Sequence, residues 1–287
     1  MTTIAFQGED GAYSQEAIFQ TFGTRVSTLP CATFGELFGA VEAGRADLGM
    51  LPIENSTAGA INQSYDLLLE HDLQITREVI FRVRHALMVA PGATMAAVQR
   101  VYSHPAALAQ CERYIAAHGW EPVVAYDTAG AAKQLSASRE PGAGAIASET
   151  AARLYGLQVV ARGVEDLANN YTRFFVVGHA ASPREERSKT SIVLATWHIP
   201  GALYDCLGAF ASRNINLTKL ESRPDRQRPW HYVFYLDFEG YYDDAPCRAA
   251  LESLADKTSF VKVLGSYPAA ATPAPAIEQN LSEEAVS

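Results

Sequence analysis

The sequence predicts a two-lobed α/β domain followed by a smaller ferredoxin-like domain, and three observations carry this prediction. From residue 3 to about 178, short apolar strands alternate with helical segments in the rhythm of βαβ units. A polar run at 182–189 contains proline and lacks apolar periodicity, which is typical of a linker. Residues 190–267 then follow the order βαββαβ. At 287 residues the chain is long enough for two units with separate cores.

The first domain, residues 1–181, is expected to form two lobes around a cleft. Lobe one comprises about 1–80 together with 172–181, and lobe two comprises about 81–171. Because strands and helices alternate, we expect mostly parallel sheets covered by helices. We predict strands at 4–6, 48–53, 85–89, 101–102, 123–125, 144–147 and 172–178, and helices at 33–43, at 105–118 and from residues 14, 128 and 149.

The second domain is predicted to span residues 190–268, after a linker at 182–189. Its expected elements are strands at 190–197, 215–222, 232–238 and 261–267 and helices at 201–213 and 243–257. The remaining residues, 269–287, are rich in Ala and Pro and then acidic, a composition that predicts disorder.

Composition excludes several classes of protein. The net charge is −9 and no cluster of Lys and Arg is present, which argues against a nucleic-acid partner. No apolar run approaches the ~20 residues that span a bilayer, and the first residues lack a basic segment followed by an apolar one, so we expect a cytoplasmic protein. The four cysteines are widely scattered, which predicts reduced, mostly buried thiols and no metal site.

The segment 169–175 places hydroxyl, guanidinium and amide groups at the mouth of an apolar strand. Ordinary polar caps at the start of a strand are the alternative interpretation. A second polar segment, 52–59, lies where a buried strand ends, which is where open α/β sheets bind ligands. There, Ser56 or Thr57 is expected to cap the next helix while backbone N–H groups receive a carboxylate, although plain capping also explains the pattern.

The same arrangement recurs at Ser103, where a strand runs into a helix with proline in its first turn. Ser103 is expected to cap that helix or to bind substrate, and Gln110, two turns later, is expected to face the same cleft. Residues 8–14 form a third strand–turn–helix segment without dinucleotide-binding spacing. Hydroxyls, amides, one Arg and helix ends suit a small carboxylate-bearing molecule better than hydrolysis or metal chemistry.

Taken in order, these segments resemble prephenate dehydratase, which converts prephenate into phenylpyruvate, water and carbon dioxide. The resemblance covers residues 3 to about 267. Its pieces are Gly8 to Ser14 with Glu16-Ala17, Pro52 to Gly59, Ser103-His104-Pro105 with Gln110-Cys111, and Thr172-Arg173-Phe174. Ala106 departs from the Gln that relatives often have there, and Tyr171 from a small aliphatic residue. These departures concern fine substrate contacts.

The resemblance implies a catalytic domain like the periplasmic binding proteins and assigns roles to individual residues. It implies catalysis by Thr172 with Asn55, Ser103 and Gln110. It implies substrate binding by Ser14, Glu54, Ser56, Thr57, Arg173 and Phe174. For Arg173, a structural ion pair with a nearby carboxylate is the alternative. No cofactor and no metal is implied, because decarboxylation itself supplies the electrons that expel the ring hydroxyl.

Residues 190–268 resemble an ACT regulatory domain, which implies a homodimer or homotetramer inhibited by phenylalanine. We expect phenylalanine between the helix start at Gly201 and the loop at Asn214, contributed by two subunits, although Gly201 alternatively serves only as a turn residue. The residues implied in binding are Gly201, Ala202, Leu203, Asn214, Asn216, Leu217, Glu221, Ser222, Arg223 and Pro224.

Three other functions remain open at this point. Arogenate dehydratase uses the same chemistry on the aminated substrate. A non-catalytic amino-acid sensor would also combine a cleft with an ACT domain, but the segment 172–174 and the lack of an output domain argue against it. A secreted solute-binding protein is disfavoured by the expected absence of a signal peptide, and the lack of a long N-terminal helical extension predicts a single activity.

Overall fold

The computed structural model describes residues 1–226 and 228–271, which form three β-sheets. Most of the tail predicted to be disordered, residues 272–287, lies outside the described residues. Within the described ranges, no helix is both long enough and apolar enough to span a bilayer.

The first sheet belongs to lobe one and has the strand order β2-β1-β3-β11-β5, with the short β4 attached to β3. Helices α1, α2 and α3 follow β1, β2 and β4 along the chain. The bounds are β1 Thr3–Gln7, α1 Tyr13–Phe22, β2 Ser27–Cys31, α2 Phe34–Glu42, β3 Leu48–Asn55, β4 Gly59–Ala60, α3 Asn62–Glu70, β5 Gln74–Arg82 and β11 Tyr171–Gly178.

The second sheet forms lobe two and has the order β10-β6-β9-β7-β8. Its helix predicted at 105–118 is divided at Cys111 into two helices of six residues. The bounds are β6 Ala86–Val89, a 3₁₀ turn Met95–Ala97, β7 Arg100–Ser103, α4 Pro105–Gln110, α5 Glu112–Ala117, β8 Glu121–Val124, α6 Thr128–Ser138, β9 Ala143–Ala147, α7 Glu149–Leu154 and β10 Gln158–Arg162.

The expectation of mostly parallel strands holds except for β4 and β11 in the first sheet and β6 in the second, so both sheets are mixed. Strand β11 is antiparallel to β3 and to β5, and β6 is antiparallel to β9 and β10. The chain passes from lobe one to lobe two after β5 and returns before β11, so a returning strand enters the first sheet from the opposite direction. The return itself was predicted, since residues 172–181 were assigned to lobe one, but the alternation of helices and strands does not reveal the direction of the returning strand.

The third sheet confirms the ferredoxin-like arrangement. Its order is β13-β14-β12-β15, and α8 and α9 cover one face through a core that includes Ile192, Phe210, Leu236 and Phe238. The bounds are β12 Ser188–Thr196, α8 Ala202–Ala211, β13 Leu217–Pro224, β14 Tyr232–Glu239, α9 Ala245–Leu254 and β15 Thr258–Pro268.

The other face of the third sheet packs directly on the sheet of lobe one. Val193, Tyr235 and Leu264 share one hydrophobic cluster with Leu51 and Phe175. At the centre of this contact, a Cβ on Gly265 would lie 2.3 Å from the carbonyl oxygen of Ile75, so only glycine permits this approach of β15 to β5. The ferredoxin-like unit therefore covers the back of the sheet in which the end of β3 and the start of β11 lie at the cleft.

Candidate active site

A cleft of about 550 Å³ lies between the two lobes. Lobe one contributes the ends of β1, β3 and β11 and the start of α1, and lobe two contributes the start of α4 and the turn before α6. Its lining residues include Ser14, Asn55, Gln110, Thr172 and Phe174. The structure thus brings together five of the residues predicted from sequence.

Thr172 and Asn55 are directly opposed across β11 and β3. The Asn55 Nδ2 donates to Thr172 Oγ1 at 3.1 Å, and the Thr172 residue is only 9% exposed. The orientation of the Asn55 amide is set by its oxygen, which accepts from the backbone N–H groups of Thr57 and Ala58 at 2.9 Å each. Because the Thr172 oxygen accepts from Asn55, its own hydrogen is available for another acceptor.

A network of three amides extends from Asn55 across the cleft. Gln110 Nε2 donates to Asn55 Oδ1 at 3.1 Å and to Thr57 Oγ1 at 3.0 Å. Asn170 Oδ1 accepts from Asn55 Nδ2 at 2.8 Å, and Asn170 Nδ2 donates to Gln110 Oε1 at 2.8 Å. Gln110 thus lies at the cleft as predicted, and Thr57 lies beside it. The sequence had marked Asn170 only as one member of a polar run.

His85 and Tyr13 are site residues that the sequence interpretation missed. His85 is 2% exposed, and its Nδ1 lies 2.7 Å from the hydroxyl oxygen of Tyr13. Its Nε2 lies 2.8 Å from Gln110 Oε1. Burial lowers the pKa of the His85 imidazole, although the hydrogen bond to Gln110 and the charge of Glu165 oppose this shift. The available signal was a lone histidine directly before an apolar segment, next to the predicted crossing between lobes.

Ser103 does not reach the cleft, and the prediction that it caps the helix or binds substrate is wrong. The residue is fully buried, and its Oγ donates to the carbonyl oxygen of Ile146 at 2.6 Å inside lobe two. The helix is capped instead by His104, whose Nδ1 accepts from the backbone N–H of Ala106. Ser103 is an inward-facing residue of β7, so its hydroxyl stabilises the sheet.

Ser56 and Thr57 do not cap α3, contrary to the expectation. That helix begins at Asn62, after Ile61, and has no side-chain cap. The Ser56 hydroxyl donates to the carbonyl oxygen of Asn169 at 2.8 Å and accepts from the N–H of Tyr171 at 2.9 Å. Ser56 therefore holds the start of β11 beside the end of β3.

Arg173 and Glu54 point away from the cleft, because adjacent residues in a strand face opposite sides of the sheet. Arg173 Nε lies 2.6 Å from Glu78 Oε1, and its Nη1 lies 2.7 Å from Asp237 Oδ2 of the ferredoxin-like unit. Glu54 Oε2 lies 3.1 Å from Lys219 Nζ of the same unit. The structural ion pair is the arrangement observed for Arg173, and neither side chain contacts the cleft.

The described residues that line the cleft include no Lys and no Arg. Positive potential comes instead from the N-terminus of α1, which begins at Tyr13 without a side-chain cap on Ala12. Ser14 lies in its first turn, is 91% buried and lines the cleft. Phe174 contributes an apolar floor. This arrangement can hold a carboxylate through N–H and O–H groups without a salt bridge.

A second cavity of about 490 Å³ lies at the start of α8 and is lined by Gly201, Ala202 and Leu203. Asn214 lies beyond the other end of that ten-residue helix, roughly 15 Å away, so the expected facing of Gly201 and Asn214 does not occur within one chain. Asn216 and Leu217, which lead into β13, follow Asn214 at that far end.

The predicted effector residues on β13 divide between two faces. Glu221 Oε2 lies 3.4 Å from Lys219 Nζ, and Arg223 binds the Asp66 carboxylate of lobe one at 3.0 Å. Ser222 and Pro224 are exposed on the alternate positions. Glu221 and Arg223 are thus engaged at the contact with lobe one and do not line the cavity at Gly201.

Known proteins are similar to this chain in sequence and in fold. A family model described as prephenate dehydratase matches residues 4–182. Arogenate dehydratase/prephenate dehydratase 2 of Arabidopsis thaliana is 43% identical over 276 residues, covering 92% of this chain and 72% of that protein. The structure of prephenate dehydratase from Arthrobacter aurescens in complex with L-Phe is 32% identical, with a TM-score of 0.86 over 96% of this chain and 93% of that one. GqqA, described as a quorum-quenching acylase, is 39% identical with a TM-score of 0.86 over 93% of this chain and 98% of its own.

Proposed function

The chain belongs to the prephenate dehydratase family, and on that premise we propose that Thr172 is the hydrogen-bond donor through which this hydro-lyase converts prephenate into phenylpyruvate, water and carbon dioxide. The reaction breaks the bond between the ring and its carboxylate. The released electron pair enters the ring and expels the hydroxyl group at the opposite carbon. The departing oxygen leaves as hydroxide and takes up a proton to become water, while the ring becomes aromatic.

The observation that carries this proposal is the 3.1 Å hydrogen bond from Asn55 Nδ2 to Thr172 Oγ1. It occupies the acceptor side of the hydroxyl, so that the Thr172 hydrogen is free to bind the leaving oxygen. That bond strengthens as the leaving oxygen gains negative charge, which makes it selective for the transition state. Deleting a comparable donor costs about 2.7–4 kcal/mol, or roughly 10²–10³ in kcat.

The cleft also suits the decarboxylation. Prephenate is a dianion, and we propose that one carboxylate lies at the N-terminus of α1, within reach of the Ser14 hydroxyl. A salt bridge to the departing carboxylate would stabilise the ground state and slow its loss. Cleft walls without Lys or Arg and with an apolar floor at Phe174 avoid that stabilisation while excluding water.

Arogenate is a second candidate substrate. It carries an ammonium group where prephenate carries a keto group, and Asp127 is the one carboxylate among the described residues that line the cleft. An ammonium group near Asp127 would gain electrostatic attraction that a keto group cannot. The Arabidopsis relative, named for both activities, supports testing both substrates.

Amide hydrolysis, suggested by the name of GqqA, is less well supported by this cleft. An acyl transfer needs an activated nucleophile, and a serine is usually activated by a hydrogen-bonded base. Among the described residues, no histidine or carboxylate is hydrogen-bonded to the Ser14 hydroxyl. The arrangement of Asn55 and Thr172 is that of a hydrogen-bond donor and needs no nucleophile.

For regulation, we propose that residues 190–268 form an ACT unit that binds phenylalanine at the start of α8 in a homodimer. Gly201 has φ +82° and open space around its Cα, which allows a backbone approach to an amino acid. The L-Phe bound to the Arthrobacter protein supports this ligand. Because Asn214 and Asn216 lie at the far end of α8, a partner subunit would supply them. Strand β13 ends the third sheet, and its Leu220 is 45% exposed, which is compatible with pairing to a second copy.

The first experiment incubates the purified chain with prephenate at neutral pH and follows phenylpyruvate, beside Thr172→Ala and with arogenate as a parallel substrate. We expect turnover that falls roughly 10²–10³-fold in kcat in Thr172→Ala with little change in KM. An unchanged kcat would remove Thr172 from the mechanism. A higher kcat/KM on arogenate would select the second substrate, and no turnover of either would favour a sensor.

A further inference from the structure

His85 joins the two lobes at the back of the cleft. It follows β5 of lobe one and precedes β6 of lobe two. Its ring contacts one residue from each lobe, since Tyr13 begins α1 and Gln110 ends α4. The backbone N–H of His85 donates to Glu165 Oε2 at 2.9 Å, which holds the main chain at this crossing. The ring is therefore constrained at both nitrogens and at its own backbone.

The hydrogen bonds around Gln110 determine which ring nitrogen carries the hydrogen. Gln110 Nε2 donates to two oxygens, Asn55 Oδ1 and Thr57 Oγ1, so its Oε1 must be the atom that faces His85. Because Oε1 accepts, His85 Nε2 must donate. In the neutral ring Nδ1 then accepts from the Tyr13 hydroxyl at 2.7 Å, which is shorter than the contact of that hydroxyl with the carbonyl oxygen of Arg84 at 3.1 Å. Burial, which lowers the pKa of His85, favours this neutral form.

The orientation of Gln110 matters for Thr172 two hydrogen bonds away. If the Gln110 amide turned over, its oxygen would face Asn55 Oδ1, and two acceptors would meet. Asn55 would then lose one of the contacts that hold its amide, and its Nδ2 is the group that donates to Thr172 Oγ1. Without that donor, the Thr172 hydroxyl can rotate so that its hydrogen no longer points to the leaving oxygen.

We propose that His85 is a positioning residue for the dehydration, whose Nε2–H, together with Asn170 Nδ2, holds the Gln110 amide and, through Asn55, aims the Thr172 hydroxyl at the leaving group. This inference rests on the proposed donor role of Thr172. His85 itself does not contact the reacting atoms and acts only through Gln110 and Asn55. Two substitutions separate this role from simple packing, because Gln and Asn side chains each reproduce one of the two ring nitrogens.

His85→Gln places an amide nitrogen near the position of Nε2 and can still donate to Gln110. His85→Asn places one amide atom near the position of Nδ1, where its oxygen can accept from the Tyr13 hydroxyl, and it no longer reaches Gln110. Both substitutions remove the ring. If the ring of His85 only packs against its neighbours, the two variants should lose activity and thermal midpoint to a similar extent. We expect His85→Gln to retain at least about a third of kcat and His85→Asn to lose roughly 10- to 100-fold, with KM changed less than about twofold.

The double variant His85→Asn/Thr172→Ala tests whether His85 acts through Thr172. If it does, the double variant is no slower than Thr172→Ala alone. Equal losses of kcat in His85→Gln and His85→Asn, or additive losses in the double variant, would overturn the proposal.

If either His85 variant fails to fold, Gln110→Glu tests the same link, since its second carboxylate oxygen cannot donate to Asn55. A kcat of Gln110→Glu within about twofold of the wild type would overturn the proposal. If Thr172→Ala keeps its kcat, the donor role of Thr172 fails instead, which the same assay reveals separately.

Discussion

Thr172 and Arg173 are consecutive residues of β11 whose side chains bind different units of the protein. The Thr172 hydroxyl accepts from Asn55 in the cleft, and the Arg173 guanidinium binds Glu78 and Asp237 on the opposite face of the sheet. On β3, Asn55 and Glu54 show the same division. The catalytic pair proposed above is therefore backed directly by a pair of charged residues.

Four residues form what we call the charged quartet: Glu54, Arg173, Lys219 and Asp237. Glu54 opposes Arg173 in the sheet of lobe one, and Lys219 opposes Asp237 in the ferredoxin-like sheet. Across the contact between the two sheets, Glu54 pairs with Lys219 and Arg173 with Asp237. Each cross-sheet pair joins opposite charges that are mostly withdrawn from water, where such attraction is less screened.

Breaking the quartet should lower kcat more than breaking another ion pair of the same contact. Lys219→Met leaves Glu54 unpaired directly behind Asn55, and we expect kcat to fall several-fold, with KM within about twofold. The matched control is Lys262→Met, because Lys262 also bridges the two units, binding Asp72 at 3.1 Å, away from the cleft strands. Steady-state kinetics and thermal midpoints of both variants distinguish an effect on kcat from an effect on stability alone. Equal kcat in the two would show that the quartet contributes stability alone.

Arg173→Lys keeps the charge but loses the planar fork that reaches two carboxylates. Since the guanidinium lies behind the sheet, we expect the KM for prephenate to stay within about twofold. The free energy of unfolding should fall by roughly 1–3 kcal/mol, because buried acceptors lose hydrogen bonds. Denaturant unfolding and steady-state kinetics measure the two effects. A tenfold rise in KM with unchanged stability would indicate instead that Arg173 binds the substrate.

Ser14→Ala should raise the KM for prephenate if the α1 N-terminus holds a carboxylate. One lost hydrogen bond to a charged group is worth about 1.5–3 kcal/mol, so we expect KM to rise roughly 10- to 100-fold with a small change in kcat. Thr21→Ala in the last turn of α1 is the matched control, since its hydroxyl donates to the carbonyl oxygen of Ala17, away from the cleft. An unchanged KM in Ser14→Ala would place the carboxylate elsewhere.

The Glu78 carboxylate should contribute stability that acid removes. Burial opposes its ionisation, but Arg173 and Lys189 outweigh burial and hold its pKa below the ordinary value. A carboxyl with a lowered folded-state pKa stabilises the fold above its unfolded pKa of about 4.3, and that contribution is lost as pH falls through the folded value. Unfolding measured from pH 7 to pH 3 should therefore be less steeply dependent on pH in Glu78→Gln; equal slopes would contradict this.

Phenylalanine should raise the thermal midpoint and lower activity through the cavity at Gly201. The coupling between an effector site and a second site is typically about 1–3 kcal/mol, or roughly 5- to 150-fold in affinity. Gly201→Ala should weaken this response. Gly92→Ala is the matched control, since both glycines have nearly the same positive φ, +82° and +84°, with open space where a Cβ would stand. Both substitutions carry the same backbone strain, so an equal phenylalanine response in the two would exclude Gly201 from the site.

Much of the site was predictable because its residues follow one rule. Asn55 ends β3, Thr172 lies at the start of β11, and Gln110 lies in the short helix that follows β7, and α/β topology brings such positions together. The rule does not say which side chains at those positions turn inward. Ser103 satisfies the same pattern and yet lies inside lobe two.

The sequence by itself determined the alternation of helices and strands in the first domain and the ferredoxin-like unit, because hydrophobic periodicity and turn residues act locally along the chain. Strands β2, β5 and β10 were not among the predicted elements. Only the tertiary structure decided the direction of β11, the division of Thr172 and Arg173 between two faces, and the place of His85. Alternation along a strand predicts that the side chains of consecutive residues lie on opposite faces of the sheet. Which face borders the cleft depends on what covers the opposite face. Here the ferredoxin-like sheet covers the back of β3 and β11, a contact between residues far apart in sequence.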